Sequence, residues 1–64
     1  MTKNRIEVRL EKGNDNFDFS YLIVSDMTLQ KELFRTRVTG SNEVEFFRGK
    51  ISKEYEGYPI FWFI

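Results

Sequence analysis

The sequence predicts a mostly β protein, in which a small five-stranded antiparallel sheet curls into an open barrel. The 64 residues contain no alanine, the strongest helix former, whereas Phe, Tyr, Val and Ile supply most of the apolar content. Apolar and charged residues also alternate near the N-terminus, as they do in a half-buried strand. The predicted strands cover residues 4–12, 16–25, 30–39, 43–52 and 58–64.

The first two strands are predicted to form a hairpin around the turn residues 13–16. Ile6, Val8 and Leu10 alternate with charged residues, and a similar alternation resumes after the turn. One register keeps both apolar sets on the same face. That register places Leu10 opposite Phe17, Val8 opposite Phe19, Ile6 opposite Tyr21 and Arg9 opposite Asp18, with Ile23 following on the apolar face.

A second hairpin is predicted around residues 39–42, with Gly40, Ser41 and Asn42 as a three-residue loop. Asn tolerates the positive φ that such loops often need. Gly49 is predicted to mark a bulge in the fourth strand, where a small barrel needs to bend. The expected register places Val38 opposite Val44, Thr36 opposite Phe46 and Arg37 opposite Glu45.

The segment between the hairpins, residues 27–34, fits two structures. Ser25 or Asp26 could cap a short helix that carries Leu29 and Leu33 on one face. The same residues also alternate as in a strand, and they continue into the next segment without a turn signal. We therefore expect a third strand that starts near Leu29, with a ββαββ layout and a short helix near 27–34 as the alternative.

The C-terminal segment 58–64 is apolar on both faces. Because side chains alternate along a strand, either Phe61 and Phe63 or their neighbours must face away from the core. Apolar surface of this kind marks a partner or oligomer interface, although a central strand in a closed barrel would show the same pattern. The predicted interface residues are Tyr58, Phe61, Trp62 and Phe63.

A nucleic-acid-binding surface is the alternative site. Single-strand binders combine aromatic side chains, which stack on bases, with cations that follow the phosphates. Arg37 is expected to face Glu45, so part of this charge would be cross-strand pairing. The candidate residues are Arg35, Arg37, Phe46, Phe47, Arg48 and Lys50.

An enzyme is not expected, because the chain has neither His nor Cys. The pairs Glu43/Glu45 and Glu54/Glu56 could bind a hard cation, but such residues more often form solvated surface. The glycines are dispersed and form no phosphate-binding loop. We therefore expect no catalytic residue, metal or cofactor.

The bulk properties predict a single domain over residues 1–64, located in the cytoplasm. The formal net charge is zero, no cysteine is present, and the apolar runs are too short for a signal peptide or a membrane span. The predicted barrel resembles SH3-like and oligonucleotide-binding folds at the level of layout only, which does not establish function. The expected function is a non-enzymatic, homodimeric protein-binding module, acting as an accessory factor or inhibitor such as phages carry.

Overall fold

The computed structural model describes residues 3–13 and 19–64, which form a mixed sheet covered on one face by a helix. The sheet has the strand order β3-β2-β1-β4, with β1 parallel to β4 and the other neighbours antiparallel. The elements are β1 (Ile6–Lys12), β2 (Ser20–Asp26), β3 (Lys31–Val38), α1 (Ser41–Glu54) and β4 (Ile60–Phe63). The mostly β class is confirmed, but the five-stranded antiparallel barrel is wrong.

The register of the first hairpin differs from the prediction. Val8 lies opposite Val24, and Leu10 lies opposite Leu22. The predicted pairs of Val8 with Phe19 and of Ile6 with Tyr21 are therefore wrong, while residues 14–18 lie outside the described part of the chain. Apolar residues occupy both faces of β2, so alternation alone could not decide which set is buried against the helix.

The predicted second hairpin is replaced by α1. A strand over 43–52, its bulge at Gly49 and its pairing with β3 are all wrong. The reason is the spacing of the apolar residues, which recur every three or four positions and so share one face of a helix. These residues pack against or within the core: Val44, Phe47, Ile51 and Tyr55.

Glu43, in the first turn of α1, accepts two hydrogen bonds from Thr39, the residue before the N-cap Gly40. The backbone N–H of Thr39 donates to the Glu43 carboxylate at 3.1 Å, and the Thr39 hydroxyl also donates to it. These bonds favour the charged carboxylate and lower the pKa of Glu43. Only one half of a capping box is present, because Glu43 reaches back to a backbone N–H before the helix while the N-cap Gly40 has no side chain to cap α1.

We expect Gly49→Ala to stabilise the protein by about 0.5–1 kcal/mol, because glycine is unfavourable within a helix. A Cβ added at Gly49 would meet no atom within 4 Å. Gly57 is the matched control. A Cβ added there would also meet no atom within 4 Å, but its φ of 88° lies in the left-handed region that alanine adopts only with strain. Urea denaturation should therefore show a gain for Gly49→Ala and a loss for Gly57→Ala; a loss at both positions would contradict the helix.

Residues 27–34 form a turn followed by β3, so the ββαββ alternative is wrong. The third strand is confirmed, and it begins at Lys31, one position after the start of the predicted strand 30–39. The Asp26 carboxylate accepts hydrogen bonds from the Leu29 N–H at 2.9 Å and from the Asn4 amide at 2.9 Å. These bonds hold the turn and join it to the segment before β1.

Asp26 gives the fold a dependence on pH. It is buried, and the bonds from Leu29 and Asn4 hold the pKa of its carboxyl below the ordinary value of 3.8. A lowered pKa in the folded state contributes stability above the unfolded pKa, and this contribution is lost as pH falls through the folded pKa. Asp26→Asn should therefore be less stable than the wild type at pH 7, with the difference shrinking below pH 3.8. Thermal unfolding of the wild type and of Asp26→Asn, from pH 7 to below pH 3.8, measures this difference in stability. A difference that stays constant with pH would contradict the role assigned to the Asp26 carboxylate.

The core lies between α1 and one face of the sheet. Its fully buried members are Ile6, Val8, Leu22, Val24, Val38 and Ile51. The strands β1, β2 and β3 and the helix α1 each contribute at least one of these residues. Within the described residues, no helix has the length and apolar character needed to cross a membrane.

Candidate interaction surface

β4 lies at one edge of the sheet and exposes two phenylalanines. It pairs with β1 on one side, whereas the opposite edge of the sheet is β3. Ile60 and Trp62 pack against the core, while Phe61 is 46% exposed and Phe63 is 63% exposed on the other face. The strand is therefore not a central strand of a closed barrel, and the face of the sheet opposite α1, called here the open face, carries both phenylalanines.

The backbone of β4 directs polar groups away from the sheet. The Ile6 N–H donates to the Pro59 carbonyl at 2.9 Å. Because successive residues of a strand direct their N–H and C=O groups to opposite sides, Phe61 and Phe63 also bond toward β1. The backbone groups of Ile60, Trp62 and Ile64 consequently point outward, along what we call the free edge of β4.

The two edges of the sheet differ in charge. β3 carries four charged side chains, at Lys31, Glu32, Arg35 and Arg37, and its pairing with β2 contains a register shift. Charges and irregular pairing are the usual features that prevent an edge strand from pairing with another chain. β4 has the sequence IFWF, without a charge. The free edge of β4 is therefore the one suited to pairing.

A shallow hollow adjoins the exposed phenylalanines on the open face. Its volume is about 350 Å³, and its lining combines apolar side chains with one cationic and one anionic side chain. The lining residues are Arg5, Glu7, Met27, Gln30, Phe61 and Phe63. Aromatic side chains and methionine are enriched at protein interfaces, so this lining fits a protein partner.

The rest of the open face is covered by charged side chains. Ile23 lies there between Arg9 and Arg35 in the strand register and is fully buried. Arginine stems can cover apolar surface while their guanidinium groups stay in water, which accounts for that burial. The Arg35 guanidinium also bonds to Glu32 at 2.8 Å, and this bond lowers the pKa of Glu32. Among the described residues, the strongly exposed apolar side chains that the strand register places on this face are Phe61 and Phe63 of β4.

Trp62 and Tyr58, the other two predicted interface residues, pack against the core on the helix side of the sheet. The Arg48 guanidinium lies 5.1 Å from the centre of the Trp62 ring. The Lys3 ammonium lies 4.7 Å from the centre of the Tyr58 ring. The structure therefore separates the four residues, with Phe61 and Phe63 on one face and Tyr58 and Trp62 on the other.

The six residues of the alternative nucleic-acid surface do not form one surface. Arg35 and Arg37 lie on the open face, where their guanidinium groups stack 5.5 Å from Tyr21 and 5.3 Å from Phe19. The other four belong to α1, on the opposite side of the sheet. Phe47 packs against the core there, while Phe46, Arg48 and Lys50 are exposed. Glu45 also belongs to α1, so its predicted pairing with Arg37 is wrong.

Sequence reasoning did not place Met27, Arg5 or Glu7 at the site. They join Phe61 and Phe63 because β4 returns parallel to β1, and the sequence carries no local signal for that long-range pairing. The absence of charge from β4 was visible in the sequence and could have identified the free edge.

Comparison with known proteins gives no further indication of function. No family model matches the chain, and neither the curated proteins nor the solved structures contain a match. Among the described residues, no group of three His, Cys, Asp or Glu side chains is arranged to hold a metal ion. The functional argument therefore depends on the geometry of β4.

Proposed function

We propose that this protein is a non-enzymatic protein-binding module that binds its partner along β4. The observation that carries the proposal is an uncharged edge strand whose outward backbone lies beside two exposed phenylalanines. A partner strand added at such an edge gains main-chain hydrogen bonds, and alternate side chains supply specificity. Phe61 and Phe63 supply those side chains on the open face.

The energy of binding would come mainly from these two rings. Full burial of a phenylalanine side chain contributes about 1.5–3 kcal/mol. The hollow between Phe61, Phe63 and Met27 offers space for an apolar side chain of the partner. Arg5 and Glu7 at its margin would form the polar rim that surrounds such contacts in protein interfaces.

We also propose an accessory or inhibitory role in the cytoplasm, such as phage-encoded proteins of this size perform. The 64 residues build only a small core, and a domain of this size would gain stability by association. The absence of cysteine fits a reducing compartment.

The test is capture of partners from a lysate of the native host by the tagged protein, with and without nuclease treatment. Phe63→Ser should abolish capture, whereas Phe46→Ser should preserve it. The two positions are matched, because Phe63 is 63% exposed and Phe46 is 64% exposed, but Phe46 lies on α1. Circular dichroism checks that both variants remain folded.

Two outcomes would contradict this proposal. Capture that Phe63→Ser leaves unchanged would remove β4 as the binding site. Partners that disappear after nuclease treatment would instead support nucleic-acid binding, the alternative function.

A further inference from the structure

The free edge of β4 is complementary to itself, and we infer that its partner is a second copy of this chain. This inference rests on the proposed function and specifies the partner at the same site. The two β4 strands pair antiparallel about a twofold axis perpendicular to the sheet. The pairing joins two four-stranded sheets into one continuous sheet.

The outward backbone groups determine the register. A twofold axis perpendicular to the sheet keeps each face on its own side. The axis therefore lies between the two strands, midway between one residue and its own copy. Centring on Trp62 places Trp62 opposite Trp62 and Ile60 opposite Ile64. All three residues of the free edge then exchange hydrogen bonds across the interface. Centring on Phe61 would pair Ile60 with Trp62 and leave Ile64 unpaired, so the Trp62-centred register is favoured.

The same register brings the exposed phenylalanines together. Phe61 of each copy lies opposite Phe63 of the other, on the open face. Neither residue directs its backbone toward the interface, so the two form a non-hydrogen-bonded pair, in which side chains approach most closely. Aromatic cross-strand pairs of this kind stabilise a sheet. The pairing therefore buries the two most exposed apolar side chains of β4 in two equivalent contacts.

Charge does not oppose the association. β4 carries no charged residue, and the formal net charge of the chain is zero. Two copies therefore approach without the repulsion that a large net charge would cause. Added salt should not weaken the dimer, whereas it strongly weakens binding to nucleic acid.

The test combines light scattering of the wild-type protein with cysteine cross-linking. The wild-type mass should rise from 7.7 kDa toward twice that value as concentration increases. The chain has no cysteine, so introduced thiols report on single positions. A mixture of the Phe61→Cys and Phe63→Cys variants should form a disulfide-linked dimer on oxidation, because opposite Cα atoms in a non-hydrogen-bonded pair lie about 4.5 Å apart.

Each cysteine variant alone serves as a control, because identical positions lie diagonally about 7–8 Å apart, beyond the reach of a disulfide. Efficient cross-linking of Phe61→Cys alone would overturn the Trp62-centred register. A wild-type protein that stays at 7.7 kDa at all concentrations would overturn self-pairing altogether. If the protein is a strict monomer but capture from lysate still depends on Phe63, the protein-binding proposal survives with a different partner. If capture does not depend on Phe63 either, self-pairing and protein binding along β4 are both contradicted.

Discussion

Leu22→Ala is expected to lower the free energy of unfolding by about 2–5 kcal/mol, the usual range for a fully buried leucine. Leu22 is completely buried between the sheet and α1. Small domains have little stability to lose, so much of the variant should be unfolded at room temperature. Urea denaturation followed by the fluorescence of Trp62, the single tryptophan, measures the loss.

The matched control is Leu10→Ala, because Leu10 lies opposite Leu22 in the register but is 38% exposed. It should cost clearly less than Leu22→Ala, since the loss depends on the apolar surface removed from water. The hairpin register predicted from the sequence would instead turn Leu22 to the open face. A loss below about 0.5 kcal/mol at Leu22, typical of surface positions, would contradict the observed register.

The double variant Phe61→Ser/Phe63→Ser is expected to abolish association while leaving the monomer folded. Interface hot spots cost at least about 2 kcal/mol each when truncated, so the two together should raise Kd by roughly a thousandfold. Sedimentation equilibrium measures the change. Phe46→Ser should associate like the wild type, because Phe46 is exposed on α1.

The free energy of unfolding of the same variants shows whether Phe61 and Phe63 are interface residues or core residues. Both phenylalanines are about half exposed or more, so their replacement by serine should lower the free energy of unfolding of the monomer by about 0.5–1.5 kcal/mol each, well below the roughly 3–5 kcal/mol lost at a core phenylalanine. Unfolding of both single variants in a strictly monomeric protein would show that the two rings are core residues and would contradict the interface.

The mostly β class and the approximate positions of β1, β3 and β4 could be predicted because each shows a local pattern. Ile6 and Val8 alternate with charged neighbours, and residues 31–38 alternate less regularly but contain no turn signal. In β2, Leu22, Ile23 and Val24 are consecutive apolar residues that fit either face. The register of the hairpin is decided by the helix above the sheet, so it could not be read from β2 alone.

The helix was missed because its signals are weak. Alanine is absent, Gly49 interrupts the segment, and Phe46 places an exposed aromatic beside the buried face. Val44, Phe47 and Ile51 do follow a helical spacing, but the turn signals at Gly40 and Asn42 favoured a hairpin. Tertiary packing of these three side chains against the sheet outweighs the local preference.

The candidate site was predictable in part. The two-faced apolarity of residues 58–64 required one set of side chains to face outward, and the structure shows which set does so. The candidate nucleic-acid surface could not be judged from the sequence, because its cations lie on two faces: Arg35 and Arg37 on β3, and Arg48 and Lys50 on α1. This division depends on the helix, which the sequence did not reveal. The hollow beside Phe61 depends on the parallel pairing of β4 with β1, a long-range contact without a local pattern.

The most direct test of the β4 edge is hydrogen exchange of the Trp62 and Ile64 amides at low and high protein concentration. In the monomer these groups face outward from β4, so they should exchange rapidly, whereas the Ile6 amide is bonded to Pro59. We predict that Trp62 and Ile64 become protected as concentration rises, while the amides of β3 at the charged edge do not. Rates for Trp62 and Ile64 that are the same at every concentration would contradict self-pairing through β4.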